Sequence, residues 1–277
     1  RDSRRAPGAP VPRARADAVV MPAARHATAF RTIVIKEALR FLRIWIQTLL
    51  PPGITMGLYF VIFGQLIGSR LGPMAGVPYV DYIMPGVILM AVITNSYSNV
   101  VSSFYSTKFQ RHVEELLVSP VPEWVVLGGY VAGGVLRGLC VAVVVTLVAL
   151  FFADLQVHHP WVSLSVLVLT SVLFALAGFI NAVFAKTFDD ISIIPTFVLT
   201  PLTYLGGVFY SIDVLPELWQ DVSQANPILY MVNAFRYGLL GVTDVNLPAA
   251  YAIILGFIAL LWGIGWTLLR RGVGIKS

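Results

Sequence analysis

LPELWQDVSQANPILYMVNAFRYG, Leu215–Gly238, lies between two apolar runs that each read as membrane-embedded. It carries prolines at 216 and 227, the acids Glu217 and Asp221, and one arginine, Arg236. Proline donates no backbone hydrogen bond, so Pro216 and Pro227 mark helix breaks, and Asn226-Pro227 marks a turn. The stretch therefore reads as two short helices that dip back from one membrane surface without crossing, with the acids left in water. Arg236 facing lipid at mid-bilayer would cost about 2.5–3.5 kcal/mol on insertion scales, so it is expected to snorkel or to pair. Such a hairpin is either a passive cap or a gate over a path. In the second case Tyr204, Pro227, Tyr230 and Arg236 are its candidate residues.

Composition sets the solvent around this hairpin. The 277 residues are 57% hydrophobic and 12% charged, with a mean hydropathy of +0.81, whereas soluble domains carry about 25% charged residues. The apolar runs have helix length rather than barrel-strand length. The fold class is all-α integral membrane, with six spans near 51–68, 82–103, 124–152, 161–184, 192–210 and 248–269. Pro195 and Pro201 make the fifth span bent or irregular. The one cysteine, Cys140, lies inside an apolar run and reads as a small buried side chain.

Residues 1–26 are rich in Pro, Ala and Arg without apolar periodicity and read as a disordered basic tail, with Met21 a candidate start. From 27 to 50 the pattern changes. Lys36, Arg40, Arg43 and Gln47 recur on one narrow stripe, with Val34, Ala38, Phe41 and Trp45 opposite, which is the signature of an interfacial amphipathic helix. Pro51-Pro52 then suit the first turn of the next helix, and 51–277 forms the transmembrane domain.

Lysine and arginine counts orient the chain. With both termini on one side, that side collects ten from residues 1–43, then Lys108, Arg111, Lys186, Arg270, Arg271 and Lys276; the other side has Arg70 and Arg236. Both termini are therefore expected in the cytoplasm. The N-terminal basicity is juxtamembrane and suits lipid headgroups rather than a nucleic-acid partner.

Chemistry-bearing motifs are few. None of the four lysines follows a glycine, so GxxxxGK[ST] is absent and no P-loop nucleotide site is expected on this chain. Every Asp and Glu maps to a loop or a span end, and Arg137 is the one ionisable residue deep in a span. That pattern disfavours an ion-coupled secondary transporter. Asp154, His158 and His159 form a short turn without a clear third ligand, so an intramembrane enzyme or metal site is disfavoured too. No catalytic residue and no metal ligand is assigned. Span two ends in a polar run where Asn95, Asn99 and Ser102 share one helical face, directed at protein or at a water-filled path. In the loop that follows, Thr107 and Gln110 have capping-box spacing, and Phe109, Val113, Leu116 and Leu117 form an apolar stripe. A helix over Lys108–Val118 would insert into a groove on a soluble partner or rest on headgroups.

From about Ala29 onward the chain resembles the membrane subunit of ABC-2-type transporters, and within them the YadH-type permeases of bacterial inner membranes. The resemblance rests on the ladder Leu199, Leu202, Leu205, Gly206 and Val208, then Leu215-Pro216, Pro227-Ile228, Tyr230 and Arg236. FQRHVEELLVSPVP, FDDISIIPTFVLTPLTYLGGVFYS and the FRYG ending carry it further. It implies an export half-transporter in the bacterial cytoplasmic membrane, paired as a homodimer over two copies of a cytoplasmic ABC ATPase that holds the ATP and Mg. Cargoes of the family include drugs, glycans and lipid-linked polymers. The family's coupling helix carries over to Lys108–Val118, with Lys108, Arg111, Glu114 and Glu115 at the ATPase. Its N-terminal interface helix carries over to 29–49, with Arg40 and Arg43 as ATPase neighbours, and its re-entrant hairpin to 211–238.

Overall fold

The computed structural model describes residues 23–113, 115 and 119–274; the tail 1–22 and Met21, Glu114, Leu116 and Leu117 of the coupling segment, and Lys276 lie outside the described residues. Among the described residues the regular structure is helical, apart from one isolated bridge between Met74 and Val77. Five helical stretches are long and apolar enough to cross a membrane: Trp45–Ile67, Tyr79–Phe109, Glu123–Ala149, Pro160–Phe184 and Leu247–Arg271.

Helix α1 (Ala23–Arg43) begins inside the stretch read as tail and ends on Arg40 and Arg43, cations that suit the negative end of a helix dipole. The non-helical Ile44 separates it from the short α2 (Trp45–Thr48). Helix α3 (Leu50–Tyr59) then takes Pro51-Pro52 into its first turn, where the missing N–H groups have no intrahelical acceptor to lose. It widens into a π segment (Phe60–Ile67) and closes with α4 (Gly68–Leu71).

Helix α5 (Tyr79–Phe109) is the axis of the molecule. It packs against α6 (Glu123–Ala149), α7 (Pro160–Phe184) and α11 (Pro227–Leu240). Its apolar window is 83% buried, against 17% for Trp45–Ile67 and for α12 (Leu247–Arg271). The first and last spans therefore present open apolar faces, and the bundle is organised around α5.

Between α7 and the hairpin the chain is short and irregular. Helix α8 (Asp190–Ile194), a π segment (Pro195–Leu199) and α9 (Thr200–Tyr204) follow without a gap, each five residues long. That run, the expected fifth span, is shorter than the roughly 20 residues that cross a 30 Å core. Pro195 and Pro201 remove two backbone donors there, and the Thr200 N–H reaches back to the Pro195 carbonyl in the wide π register. The hairpin consists of a 3-10 turn (Ile212–Val214), α10 (Glu217–Gln224) and α11. The helix breaks fall at Pro216 and at Asn226-Pro227, as the sequence requires. The Asn226 side chain caps α11 by accepting from the Ile228 N–H and donates to the Leu202 carbonyl (2.6 Å), tying the turn to α9.

The coupling segment differs from its sequence reading. Helix α5 runs on through Phe109, so Thr107 lies inside it, and its hydroxyl bonds the Ser103 carbonyl and Tyr130 instead of capping a new helix. The chain turns at Gln110 and at Arg111, whose φ of +62° is in the left-handed region, and only then does helical backbone resume at 112–113. The capping-box spacing was matched by a threonine whose hydroxyl is occupied within the preceding helix and by a glutamine whose backbone N–H bonds the Ser106 carbonyl.

Candidate functional site

Two polar clusters stand in this apolar bundle, and together they hold most of the residues singled out in the sequence. The first surrounds Arg236. Helix α11 places its guanidinium in the protein interior, 1% exposed, so it neither snorkels nor forms an ion pair within 4 Å among the described residues. Its Nε donates to the Tyr82 carbonyl (3.3 Å), Nη1 to Asn233 Oδ1 (3.0 Å) and Nη2 to the Gly207 carbonyl (2.6 Å). The guanidinium also stacks over the Tyr82 ring at 4.0 Å, a cation–π contact that strengthens when desolvated. Gly207 can offer its carbonyl because it sits at φ +70°, where a side chain would be strained. Burial pushes the Arg236 pKa down, while nearby Tyr82 and Asp244 oppose that shift. Asp244 accepts from Ser211 Oγ (3.0 Å) and Tyr82 Oη (3.4 Å), and its own N–H bonds Asn233 Oδ1. Arg236 thus joins α5, the turn after α9 and α11 in one knot.

The other hairpin residues lie near this knot. Pro227 occupies the first turn of α11, and Tyr230 Oη donates to the Gln224 carbonyl (2.9 Å), bracing α11 on α10. Tyr204 meets Tyr59 hydroxyl to hydroxyl (2.9 Å), beside the stacked rings of Phe63 and Phe209. His158 and His159 pack on the end of α11: the His158 ring nitrogen Nδ1 lies 3.0 Å from the Leu239 carbonyl, and His159 stacks on Tyr237. Asp154 is separate, its N–H bonded to Asp81.

The second cluster joins α1, α5 and α6. Asn95 and Asn99, one turn apart on α5 and 7% and 0% exposed, each accept from a guanidinium. Asn95 Oδ1 takes Arg137 Nη2 of α6 at 3.0 Å, and Asn99 takes Arg40 Nη2 of α1 on its Oδ1 at 2.8 Å and on its backbone oxygen at 2.9 Å. Ser102 turns its hydroxyl to the Ser98 carbonyl on its own helix. Of the sequence alternatives for the polar run, the two asparagines face protein. Arg40 points into the bundle, whereas Arg43 is exposed.

Sequence reading missed Glu37. It is fully buried, accepts from Ser103 Oγ (2.7 Å), and pairs with Arg40 (3.2 Å). Helix α1 presents Ile33, Glu37 and Phe41 to the bundle, with Ile33 against Gly129 and Glu37 against Gly133, while Ile35, Leu39 and Leu42 point outward. The helix thus turns a mixed flank inward and leaves much of its apolar face to the surroundings. A signal was present: Glu37 and Arg40 have i,i+3 spacing, and Ile33, Glu37 and Phe41 fall on one line. Buried and ion-paired, Glu37 is committed to holding α1 on α5.

At the end of α5, Lys108 donates from Nζ to the Val183 (2.6 Å) and Ala185 (2.9 Å) carbonyls, closing the C-terminus of α7. Arg111 and Glu115 are exposed. In the adjoining loop the N–H groups of Lys186 and Thr187 hold the Asp190 carboxyl below the usual carboxylate range. Phe109 and Phe188 pair at 5.2 Å between ring centres, and both are more than half exposed.

Comparison with known proteins gives this geometry a context. The ABC-2 type transporter family matches residues 28–240, from α1 to the end of α11. The chain is 58% identical over 250 residues to the inner membrane transport permease YadH of Escherichia coli (strain K12), covering 90% of this chain and 97% of that protein. It is 22% identical over 215 residues to nodulation protein J of Rhizobium leguminosarum bv. viciae, covering 77% and 83% of the two chains. Nodulation protein J of Rhizobium meliloti (strain 1021) is 23% identical over 219 residues.

Proposed function

The chain belongs to the ABC-2 type transporter family, and from that membership we propose that it is the permease half of an ATP-driven exporter in a bacterial inner membrane. The observation that carries this reading is the family match from α1 through the hairpin, residues 28–240, on a chain of membrane-crossing helices. The 58% relative, named an inner membrane transport permease, supports the location and the transport role. ATP and Mg are bound by a separate cytoplasmic ATPase, in keeping with the absence of any P-loop lysine here.

In this reading both termini are cytoplasmic, α8, α9 and the π segment between them supply an irregular sixth crossing, and two copies pair over two ATPases. The open faces of Trp45–Ile67 and α12 are apolar enough to meet lipid or the second copy. Lys108, Arg111, Glu114 and Glu115 form the coupling segment, with Lys108 fixing its root on α7, and Arg43 is exposed at the end of α1. Arg40 acts from inside, by holding α1. The Arg236 knot positions Pro227, Tyr230 and Tyr204 as the outer gate, with Asn95, Asn99 and Ser102 beneath it.

Reconstitution tests the division of labour. Purified alone in liposomes, the chain is expected to hydrolyse no ATP above background. Co-expressed with its ATPase it should give a two-plus-two complex by native mass spectrometry. Hydrolysis by the pure permease, or a complex containing one permease, would overturn the reading.

The coupling segment has its own test. Reversing Glu114 and Glu115 to lysine should reduce ATPase co-purification more than tenfold if the charges are desolvated against the partner, the expected effect of losing a buried pair at about 2–5 kcal/mol. If they sit at a solvated rim, the loss is small and fades with salt. Equal recovery at two ionic strengths, with transport unchanged, removes the segment from the interface.

A further inference from the structure

The inner polar cluster holds two guanidinium groups and one carboxylate. Glu37 is taken by Arg40 and Ser103. Arg137 has no carboxylate within 4 Å among the described residues, and its Nε is buried without a hydrogen-bond partner. On the facing helix, Asn99 Nδ2 is also buried and unpartnered. It points toward Gly133, one turn before Arg137 on the same face of α6. Arg137 stands one residue from the midpoint of Glu123–Ala149, roughly 20 Å from either end at a rise of about 1.5 Å per residue.

A cation at that depth without a counter-charge is costly, and buried N–H donors call for acceptors. The position also has an outlet. Along α6, Gly133 lies against Glu37 of α1, and Val144 lies against Gly53 of α3. Arg137 falls between those contacts along α6, and its side chain is partly exposed.

We propose that Arg137, positioned by Asn95 and assisted by the Asn99 amide, binds an anionic oxygen group, a phosphate or carboxylate, carried by an amphiphile lying in the seam between α1, α3 and α6. A guanidinium suits this role because its planar fork matches both oxyanions and stays charged at depth. Nη2 is held by Asn95, while the buried Nε lacks the acceptor that such a ligand would supply. The proposal deepens the transport reading by naming a chemical class, and it is tested by binding alone, so its failure would leave ATP-driven export untouched.

The full-length protein is placed in phosphatidylcholine nanodiscs with and without phosphatidylglycerol, and lipid retention is read by native mass spectrometry beside thermal melting. The wild type should retain phosphatidylglycerol preferentially and melt higher in its presence. Arg137→Met should weaken that retention about tenfold, the effect of losing a charge-assisted hydrogen bond, while Arg31→Met on the exposed side of α1 should not. Arg137→Gln, which keeps a polar partner for Asn95 and so protects folding, should show the same loss. Inorganic phosphate separates the sources: competition shows that a free anion enters, and no competition shows that the group arrives on a lipid. A wild type indifferent to phosphatidylglycerol, or an Arg137→Gln protein that retains it equally, overturns the proposal.

Discussion

Arg236→Ala is expected to unseat the hairpin and lower thermal stability more than any other single exchange of a polar residue in the chain. The guanidinium is the shared donor for the Tyr82 and Gly207 carbonyls and for Asn233 Oδ1. Alanine leaves these buried acceptors without it, at about 1–3 kcal/mol each for any that finds no substitute. It also removes the Tyr82 cation–π contact, about 2 kcal/mol when desolvated. Recovered hydration of the cation in the unfolded reference offsets part of this, so the net loss is on the order of 3–5 kcal/mol, a large share of a typical total of about 5–15 kcal/mol. Arg236→Lys keeps the charge but places one compact ammonium where three separated acceptors need a fork, so it should fall in between. Melting in mild detergent, with protease sensitivity of 211–226 as the local readout, checks both variants. A wild-type melting curve for the alanine protein would show that the knot does not hold the hairpin.

Gly178→Val should be nearly as damaging, for a purely steric reason. Helices α5 and α7 make the most extensive contact in the bundle. At Gly178 an added Cβ would lie 2.5 Å from the Tyr97 carbonyl oxygen and 3.2 Å from its carbonyl carbon. Those are backbone atoms of the central helix, so no side chain can swing aside and the helices must separate. Overpacking of this kind costs about 1–3 kcal/mol, occasionally more, and here it falls on the helix that carries Asn95 and Asn99. Gly256→Ala is the matched contrast: nothing lies within 4 Å of the added methyl, and helix propensity favours alanine by about 0.8–1 kcal/mol. Fluorescence-detected melting and monodispersity should rank Gly256→Ala at or above wild type and Gly178→Val well below it. Equal melting of the two variants would refute the close-approach argument.

The hairpin shows how far local signals reach. Pro216, Asn226 and Pro227 were legible because proline and the asparagine cap act within a few residues of themselves, and the breaks fall where they predict. The Lys108–Val118 helix shows the limit of the same reasoning. Thr107 and Gln110 have the spacing of a capping box, yet α5 continued through Thr107 to Phe109, and the Thr107 hydroxyl bonds the Ser103 carbonyl inside that helix instead of capping a new one. A local pattern competes with the helix already running into it, and spacing alone does not name the winner.

Composition, apolar run length and the proline positions are properties of the chain itself, and they determined a helical membrane protein with a broken segment before its last span. Partners for charged groups depend on residues distant in the chain, and only the tertiary structure decided them. Arg236 was expected to snorkel or pair and instead found carbonyls at 82 and 207, because the hairpin folds inward against α5. Glu37 was not singled out by the sequence, but α1 lies along α6 and presents it to Ser103, 66 positions away. Arg137 could be read as deep in a span, but its Asn95 bond and its unpartnered Nε are visible only once α5 and α6 are side by side. Hydrophobicity is additive along a sequence; hydrogen-bond satisfaction is settled pairwise in space.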